Sequence, residues 1–99
     1  MPDMQVLVCY DVSTTSPEGR RRLRRVARVC LDFGQRVQQS VFECTVDEAD
    51  LTRLRAQLLD EINLVEDSLR LYRLIGKFED VVESYGRDRR IDFEGPLIA

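Results

Sequence analysis

Among the residues able to do chemistry, one carboxylate stands apart. Asp11 sits near the end of the apolar run Met4-Gln5-Val6-Leu7-Val8-Cys9-Tyr10-Asp11-Val12. Aspartate is depleted in strands and is rarely enclosed unless it is paired or holds a metal, so Asp11 needs a partner. Two roles are open to it. As a metal ligand it would hold a divalent cation that polarises a phosphate and generates hydroxide for phosphodiester hydrolysis. One carboxylate is a poor Mg2+ site alone, and a two-fold axis would supply a second. As a structural acid, Asp11 would pair with an arginine of the following helix or cap the Ser13-Thr14 turn. The sequence contains no histidine. That excludes Ser-His-Asp and Cys-His catalysis and histidine metal sites, leaving ions with oxygen ligands: Mg2+, Mn2+ or Ca2+ rather than Zn2+.

Arginines form the second constellation. Arg20, Arg21, Arg22, Arg24, Arg25 and Arg28 place six guanidinium groups within nine residues, and Arg36 follows. Of the 15 basic residues only Lys77 is a lysine. Arginine grips phosphate through a bidentate fork that lysine lacks. With no compensating acid nearby, the cluster reads either as a nucleic-acid backbone surface, where each neutralised phosphate releases counterions, or as a solvated helix face. The net charge of -3 argues mildly against blanket nucleic-acid binding, but the distribution matters more than the sum: the first third is cationic and acids gather later, from Glu43 to Asp67. Ser40 has no base to activate it as a nucleophile. Phe42 reads as core or interface. Tyr10, Tyr72 and Tyr85 could stack bases, although packing is the simpler role. Gly34, Gly76, Gly86 and Gly95 are isolated, so there is no glycine-rich phosphate loop.

Elements must hold these groups in place. Residues 4–12 read as a strand. Ser16 suits a helix cap, Pro17 the first helical position, and Thr15-x-x-Glu18 resembles a capping box. A helix then runs to about Asp32, with Leu23, Val26, Ala27, Cys30 and Leu31 as its apolar stripe. Gly34 is expected to end it in a left-handed cap. Residues 35–46 read as extended, long for one strand and divisible near Gln39-Ser40. Asp47 caps a second helix over 48–62, with Leu51, Leu54, Leu58 and Ile62 on one face. A polar connection, 63–67, leads to a strand over 68–75 with one wetter face. Gly76 turns the chain. Residues 77–85 fit either a short helix or a strand, and 86–90 are a charged loop. The apolar 91–99 tail after Gly95-Pro96 is expected to dock on something, such as a partner's edge strand.

At 99 residues the chain is expected to form a single domain, 1–99, around one two-layer core. No 18-residue apolar stretch is present, and the N-terminus lacks a signal-peptide layout. Cys9, Cys30 and Cys44 lack CxxC spacing and lie on predicted apolar faces. They read as reduced core residues of a cytoplasmic protein with no membrane role. The element order suggests an α+β, ferredoxin-like β-α-β-β-α-β sandwich with helices on one sheet face. The other face is apolar enough to predict burial in a homodimer.

The motifs carry a family resemblance. Tyr10-Asp11-Val12, Gly19-Arg20-Arg21-Arg22-Leu23-Arg24-Arg25-Val26-Ala27, Gly34-Gln35-Arg36-Val37-Gln38-Gln39-Ser40-Val41-Phe42, Asp67-Ser68-Leu69-Arg70-Leu71-Tyr72 and Glu94-Gly95-Pro96-Leu97-Ile98 occur in that order. Together they resemble the small CRISPR-associated adaptation protein, most closely its type I-C versions. The resemblance implies a ferredoxin-like homodimer whose sheets face each other, with the 91–99 tail pairing across it. It implies that Asp11 of both subunits binds Mg2+ (or Mn2+) as the catalytic group. Arg36 and Phe42 match positions implicated in activity, and Ser40 lies near them. Arg20, Arg21, Arg24, Arg25 and Arg28 match a nucleic-acid-binding region, with Arg36 nearby. The function implied is spacer acquisition in CRISPR antiviral defence, as a DNA-binding scaffold of the spacer integrase complex. A metal-dependent endonuclease activity on RNA or double-stranded DNA accompanies it. A purely structural adaptor is the alternative; a small-molecule-sensing ferredoxin-like module fits the fold but not the arginines.

Overall fold

A computed structural model describes residues 3–87; the expected tail pairing of 91–99 lies outside them. Seven elements follow in order: β1 (Met4–Asp11), α1 (Pro17–Phe33), β2 (Gly34–Gln38), β3 (Val41–Val46), α2 (Glu48–Glu61), β4 (Ser68–Leu74) and α3 (Phe78–Val81). The four strands form one sheet in the order β2-β3-β1-β4, and every neighbouring pair is antiparallel. The two long helices each cross over one intervening strand, which is the ferredoxin-like split β-α-β arrangement. The division expected near Gln39-Ser40 is a turn between β2 and β3.

Period-two alternation sorts the sheet into two faces. Val6, Val8 and Tyr10 of β1 and Phe42, Cys44 and Val46 of β3 are buried against Val26, Val29 and Cys30 of α1 and Leu51, Leu54 and Leu58 of α2. On the other face lie Gln5, Leu7, Cys9 and Asp11, paired in register with Thr45, Glu43 and Val41 on one side and Leu74, Tyr72, Arg70 and Ser68 on the other. This open face is mixed rather than uniformly apolar. Tyr72 is 41% exposed on it, beside the charged Glu43 and Arg70.

Local chemistry explains the boundaries. Ser16 caps α1 by accepting from the Gly19 backbone N–H at 3.0 Å, with Pro17 at the first helical position. The Thr15 capping box is not formed; the Thr15 hydroxyl hydrogen-bonds with that of Ser13 instead. Asp47 caps α2 through the Asp50 N–H. Two expectations about α1 need correction. Leu31 is 40% exposed while Val29 is buried, because each residue advances about 100° around a helix and Leu31 falls past the edge of the stripe centred on Val26 and Cys30. Gly34 is not a left-handed cap: its φ is -164°, extended. It is glycine because a Cβ there would lie 2.4 Å from the Glu43 carbonyl oxygen and 2.5 Å from the Cys44 sulfur. Helix α1 therefore feeds straight into β2.

Beyond β4, Gly76 turns the chain at a φ of +94°. In the ambiguous 77–85 stretch a single helical turn, α3, precedes irregular chain. Phe78 is buried, and its N–H donates to Gln5 Oε1 on the open face at 3.3 Å. All three cysteines are free. Burial pushes the Cys30 thiol up to about 12 and the Cys44 thiol up to about 11, which makes both inert packing groups. Cys9 differs from expectation: it is half-buried on the open face rather than in the core.

Candidate functional site

The end of the sheet where β1 finishes gathers the chemistry. Asp11 is the last residue of β1 and pairs in register with Ser68, the first of β4. Ser40 joins the same end through its backbone: its carbonyl accepts the Tyr10 N–H at 3.1 Å. The Asp11 side chain is exposed and has no hydrogen bond or ion pair among the described residues. Neither structural role open to it in the sequence is the one it plays. It neither pairs with a helix arginine nor caps the Ser13-Thr14 turn.

A different acid does both. The Asp67 side chain is fully enclosed, and Arg22 is 12% exposed beside it. Arg22 grips Asp67 as a fork, Nε to Oδ2 at 2.9 Å and Nη2 to Oδ1 at 3.2 Å. The Ser13 N–H donates to Oδ1 at 3.0 Å, and the Asn63 N–H to Oδ2 at 2.8 Å. These bonds hold the Asp67 carboxyl at about 2, down from 3.8. The Arg22 hydrogen bonds contribute most; burial opposes them, and the two backbone N–H groups add to the lowering. Asp67 thus ties the β1–α1 loop to the α2–β4 loop, two residues past Asp11 on one side and next to Ser68 on the other. Sequence reading gave Asp67 no role. The available signal was the Asn63-x-x-x-Asp67 spacing in a short loop, since both side chains favour local turn bonds.

The arginine cluster divides in three dimensions. The absence of a compensating acid is corrected: α2 and its following loop bring acids to it. Arg22 also reaches Glu66 at 3.2 Å, and Arg25 reaches Glu61 at 2.9 Å. Arg21 faces Glu18 at 3.6 Å with both side chains largely exposed, a pairing of little energetic consequence. Arg20 donates to the Thr14 carbonyl. Arg24 and Arg28 are exposed and form no ion pair among the described residues. With Arg20, they are the cations of α1 that no carboxylate pairs among the described residues.

Arg36 and Phe42 are not brought to Asp11. They pair with each other across β2 and β3 on the helix-covered face, whereas Asp11 is on the open face. The Phe42 ring is fully buried, and the Arg36 guanidinium lies 5.1 Å from its centroid, a cation–π contact. Arg36 Nε and the Tyr10 hydroxyl are both buried without a hydrogen-bond partner. Burial raises the Tyr10 pKa, and Arg36 partly opposes that. This pair is a buried polar seam behind the sheet.

Asp11 offers the hard oxygen donors that Mg2+ or Mn2+ prefers. Donor number is the shortfall, since no group of three or more Asp, Glu, Cys or His side chains converges among the described residues. The described residues of one chain do not by themselves build a metal centre. A shallow groove of about 700 Å³ lies at the opposite end of the open face, lined by Gln5, Glu43, Thr45, Leu74, Lys77 and Phe78 among others. It contains no residue of the Asp11 end, and its open, mixed walls offer no convergent chemistry.

Comparison with known proteins decides the family. The model of the CRISPR associated protein Cas2 family matches residues 4–79. The chain belongs to the Cas2 family. Among Cas2 relatives, the CRISPR-associated endoribonuclease Cas2 1 of Moorella thermoacetica is 50% identical over 95 residues, covering 96% of this chain and 99% of that protein. The CRISPR-associated endonuclease Cas2 of Halalkalibacterium halodurans is also 50% identical, with the same coverage. The crystal structure of Streptococcus pyogenes Cas2 at pH 6.5 superposes with a TM-score of 0.76 at 49% identity, covering 84% of this chain and all of that one. The Cas2 relationship confirms the fold read from the element order. Among the described residues no helix is long and apolar enough to cross a membrane.

Proposed function

We propose that this Cas2-family protein is a phosphodiester-cleaving nuclease of CRISPR adaptive immunity, cytoplasmic and homodimeric. In the cell it serves chiefly as a DNA-binding scaffold of the spacer integrase complex. The described residues, 3–87, act as one domain in this reading. The nuclease part draws on the relatives' names, endoribonuclease and endonuclease. The observation that carries it to a residue is the exposed, unpartnered Asp11 at the end of β1, beside an acid that already performs the structural work.

Asp11 is the catalytic and metal-binding group in this reading. A second copy, apposed through the open sheet face, supplies the second carboxylate that one chain lacks. Bound Mg2+ (or Mn2+) supplies a Lewis acid and a hydroxide source. The chain's own part is to hold the Asp11 carboxylate in place through the β1–β4 ladder and the Asp67 clamp. Arg24 and Arg28 take the phosphate backbone of RNA or double-stranded DNA. Arg20, Arg21 and Arg25 are exposed on the same helix and add to its field, and Ser40 lines the site end. A purely structural adaptor is the second reading, favoured by the lack of a complete metal centre among the described residues of one chain.

The test compares wild type and Asp11→Ala for Mg2+-dependent cleavage of DNA and RNA. Wild-type cleavage that falls at least a hundredfold in the variant supports the nuclease. Equal rates, or no cleavage by either protein, leaves the structural adaptor.

A further inference from the structure

A carboxylate can hold a cation, but a phosphate that is cut also needs a partner for the negative charge that builds on its non-bridging oxygens. Arg36, grouped with Asp11 by resemblance, lies on the helix-covered face with Phe42. Lys77 lines the groove at the far end of the open face. The α1 arginines belong to the helix layer, which packs on the other side of the sheet.

Arg70 is placed differently. In the β1–β4 ladder it pairs with Cys9, while Asp11 pairs with Ser68, so Arg70 is the diagonal neighbour of Asp11 on the open face. Such neighbours lie roughly 7–8 Å apart, within reach of a long side chain. Arg70 is exposed, and no carboxylate pairs with it among the described residues. Its Nη1 donates to the Tyr72 hydroxyl at 2.7 Å, and its guanidinium carbon lies 6.0 Å from the centre of the Tyr72 ring. An exposed acid and an exposed arginine at this spacing readily form an ion pair, though one of little energy. Tyr72 competes for the guanidinium from the side away from Asp11, where it pairs with Leu7. That contact spends one of the five N–H donors of an arginine. The rest of the fork is free for an oxyanion, and the Asp11 carboxylate is free for a cation.

We infer that Arg70 is a second catalytic residue, which grips the non-bridging oxygens of the scissile phosphate beside Asp11, and that Tyr72 is a positioning residue that keeps the two charges apart. The inference rests on the nuclease reading above and adds a phosphate-gripping group to it. In the hydrolysis a water oxygen bonds to phosphorus, and the bond from phosphorus to the leaving sugar oxygen breaks. One water proton ends on that leaving oxygen; the other stays with the new phosphate group. Charge on the non-bridging oxygens peaks between those two events, so a cation fixed there acts on the rate more than on binding. The α1 arginines meet phosphates that do not react and set affinity instead.

Full-length wild type, Asp11→Ala, Arg70→Gln, Arg70→Lys and Tyr72→Phe are compared for Mg2+-dependent cleavage of RNA and duplex DNA. Nucleic-acid affinity without Mg2+, thermal melting and sedimentation are measured alongside. Arg70→Gln is expected to lower kcat about a hundredfold, with affinity, melting and self-association unchanged. Arg70→Lys keeps the charge without the fork and should restore part of the rate. In Tyr72→Phe the released guanidinium pairs with Asp11, so the Mg2+ concentration for half-maximal cleavage should rise severalfold while the rate at saturating Mg2+ changes little. An unchanged Mg2+ dependence removes the positioning role of Tyr72. Cleavage by Arg70→Gln at the wild-type rate, where Asp11→Ala has lost it, overturns the role of Arg70 and leaves the nuclease standing. An Arg70→Gln defect that follows a lost dimer or weaker binding, with kcat intact, also overturns it. If wild type and Asp11→Ala cleave alike, or neither cleaves, the nuclease reading fails and the role of Arg70 fails with it.

Discussion

Asp11 and Asp67 stand at the same end of the sheet, one beside the strand partner of the other, and they do opposite things. Asp67 is enclosed, receives four hydrogen bonds and is held at about 2. Asp11 is exposed and has no side-chain partner among the described residues. The difference lies in topology rather than residue type. The helix crossover brings Arg22 and two loop N–H groups to position 67, whereas the strand alternation turns position 11 to the face opposite α1 and α2. A carboxylate with every lone pair engaged is structural; one left with none engaged is available to a cation or a second copy.

The largest expected effect separates the two acids by stability. Asp67→Ala strands the Ser13 and Asn63 donors and leaves Arg22 without its main partner, which should cost about 3 kcal/mol. Asp11→Ala should change stability by no more than about 0.5 kcal/mol. Urea unfolding of both variants checks this, and equal losses would erase the distinction between the two acids.

A second effect appears in acid. The folded Asp67 carboxyl at about 2 lies below its reference value of 3.8, so between these values the unfolded chain binds more protons. Stability from this clamp is complete above about pH 4 and is lost as pH falls toward 2. In Asp67→Asn that part of the acid dependence should vanish, while Asp11→Asn should keep it. Unfolding midpoints across pH 2 to 5 give the comparison, and parallel curves for wild type and Asp67→Asn would contradict it.

The smallest effect extends the same contrast to the arginines. Arg24→Gln with Arg28→Gln should weaken duplex binding and lower the slope of log affinity against log salt by about 0.9 for each phosphate no longer neutralised. Arg22→Gln should leave that slope nearly unchanged, because its guanidinium already faces Asp67 and Glu66. Filter binding at several salt concentrations distinguishes them, and a slope that follows Arg22 would reverse the assignment.

Much of this molecule was legible beforehand. The caps at Ser16 and Asp47, the buried Leu51, Leu54 and Leu58 stripe, the turn near Gln39-Ser40 and the break at Gly76 follow from rules that operate within a few residues. Asp11 as the acid without a structural partner could be suspected but not decided. Its rival for the structural role, Asp67, draws on Arg22 at 45 residues' separation and on Ser13 at 54, and no local pattern records that. Arg36 and Phe42 were grouped with Asp11 by resemblance, yet the strand pleat sets them on opposite sides of the sheet. Gly34 misled because glycine after a helix ordinarily signals a left-handed cap, while here the constraint is the approach of a neighbouring strand.

Local sequence set the element order, the core periodicities and the Cas2-like motifs, and the missing histidine excluded histidine-ligated metal sites. Those are properties of backbone geometry and side-chain chemistry that act over one or two turns of chain. Tertiary structure alone decided which carboxylate is sealed, which arginines are neutralised by acids and which remain free, and which face each site residue presents. Charge pairing depends on separation in space, and a split β-α-β topology makes neighbours of residues that the chain itself keeps far apart.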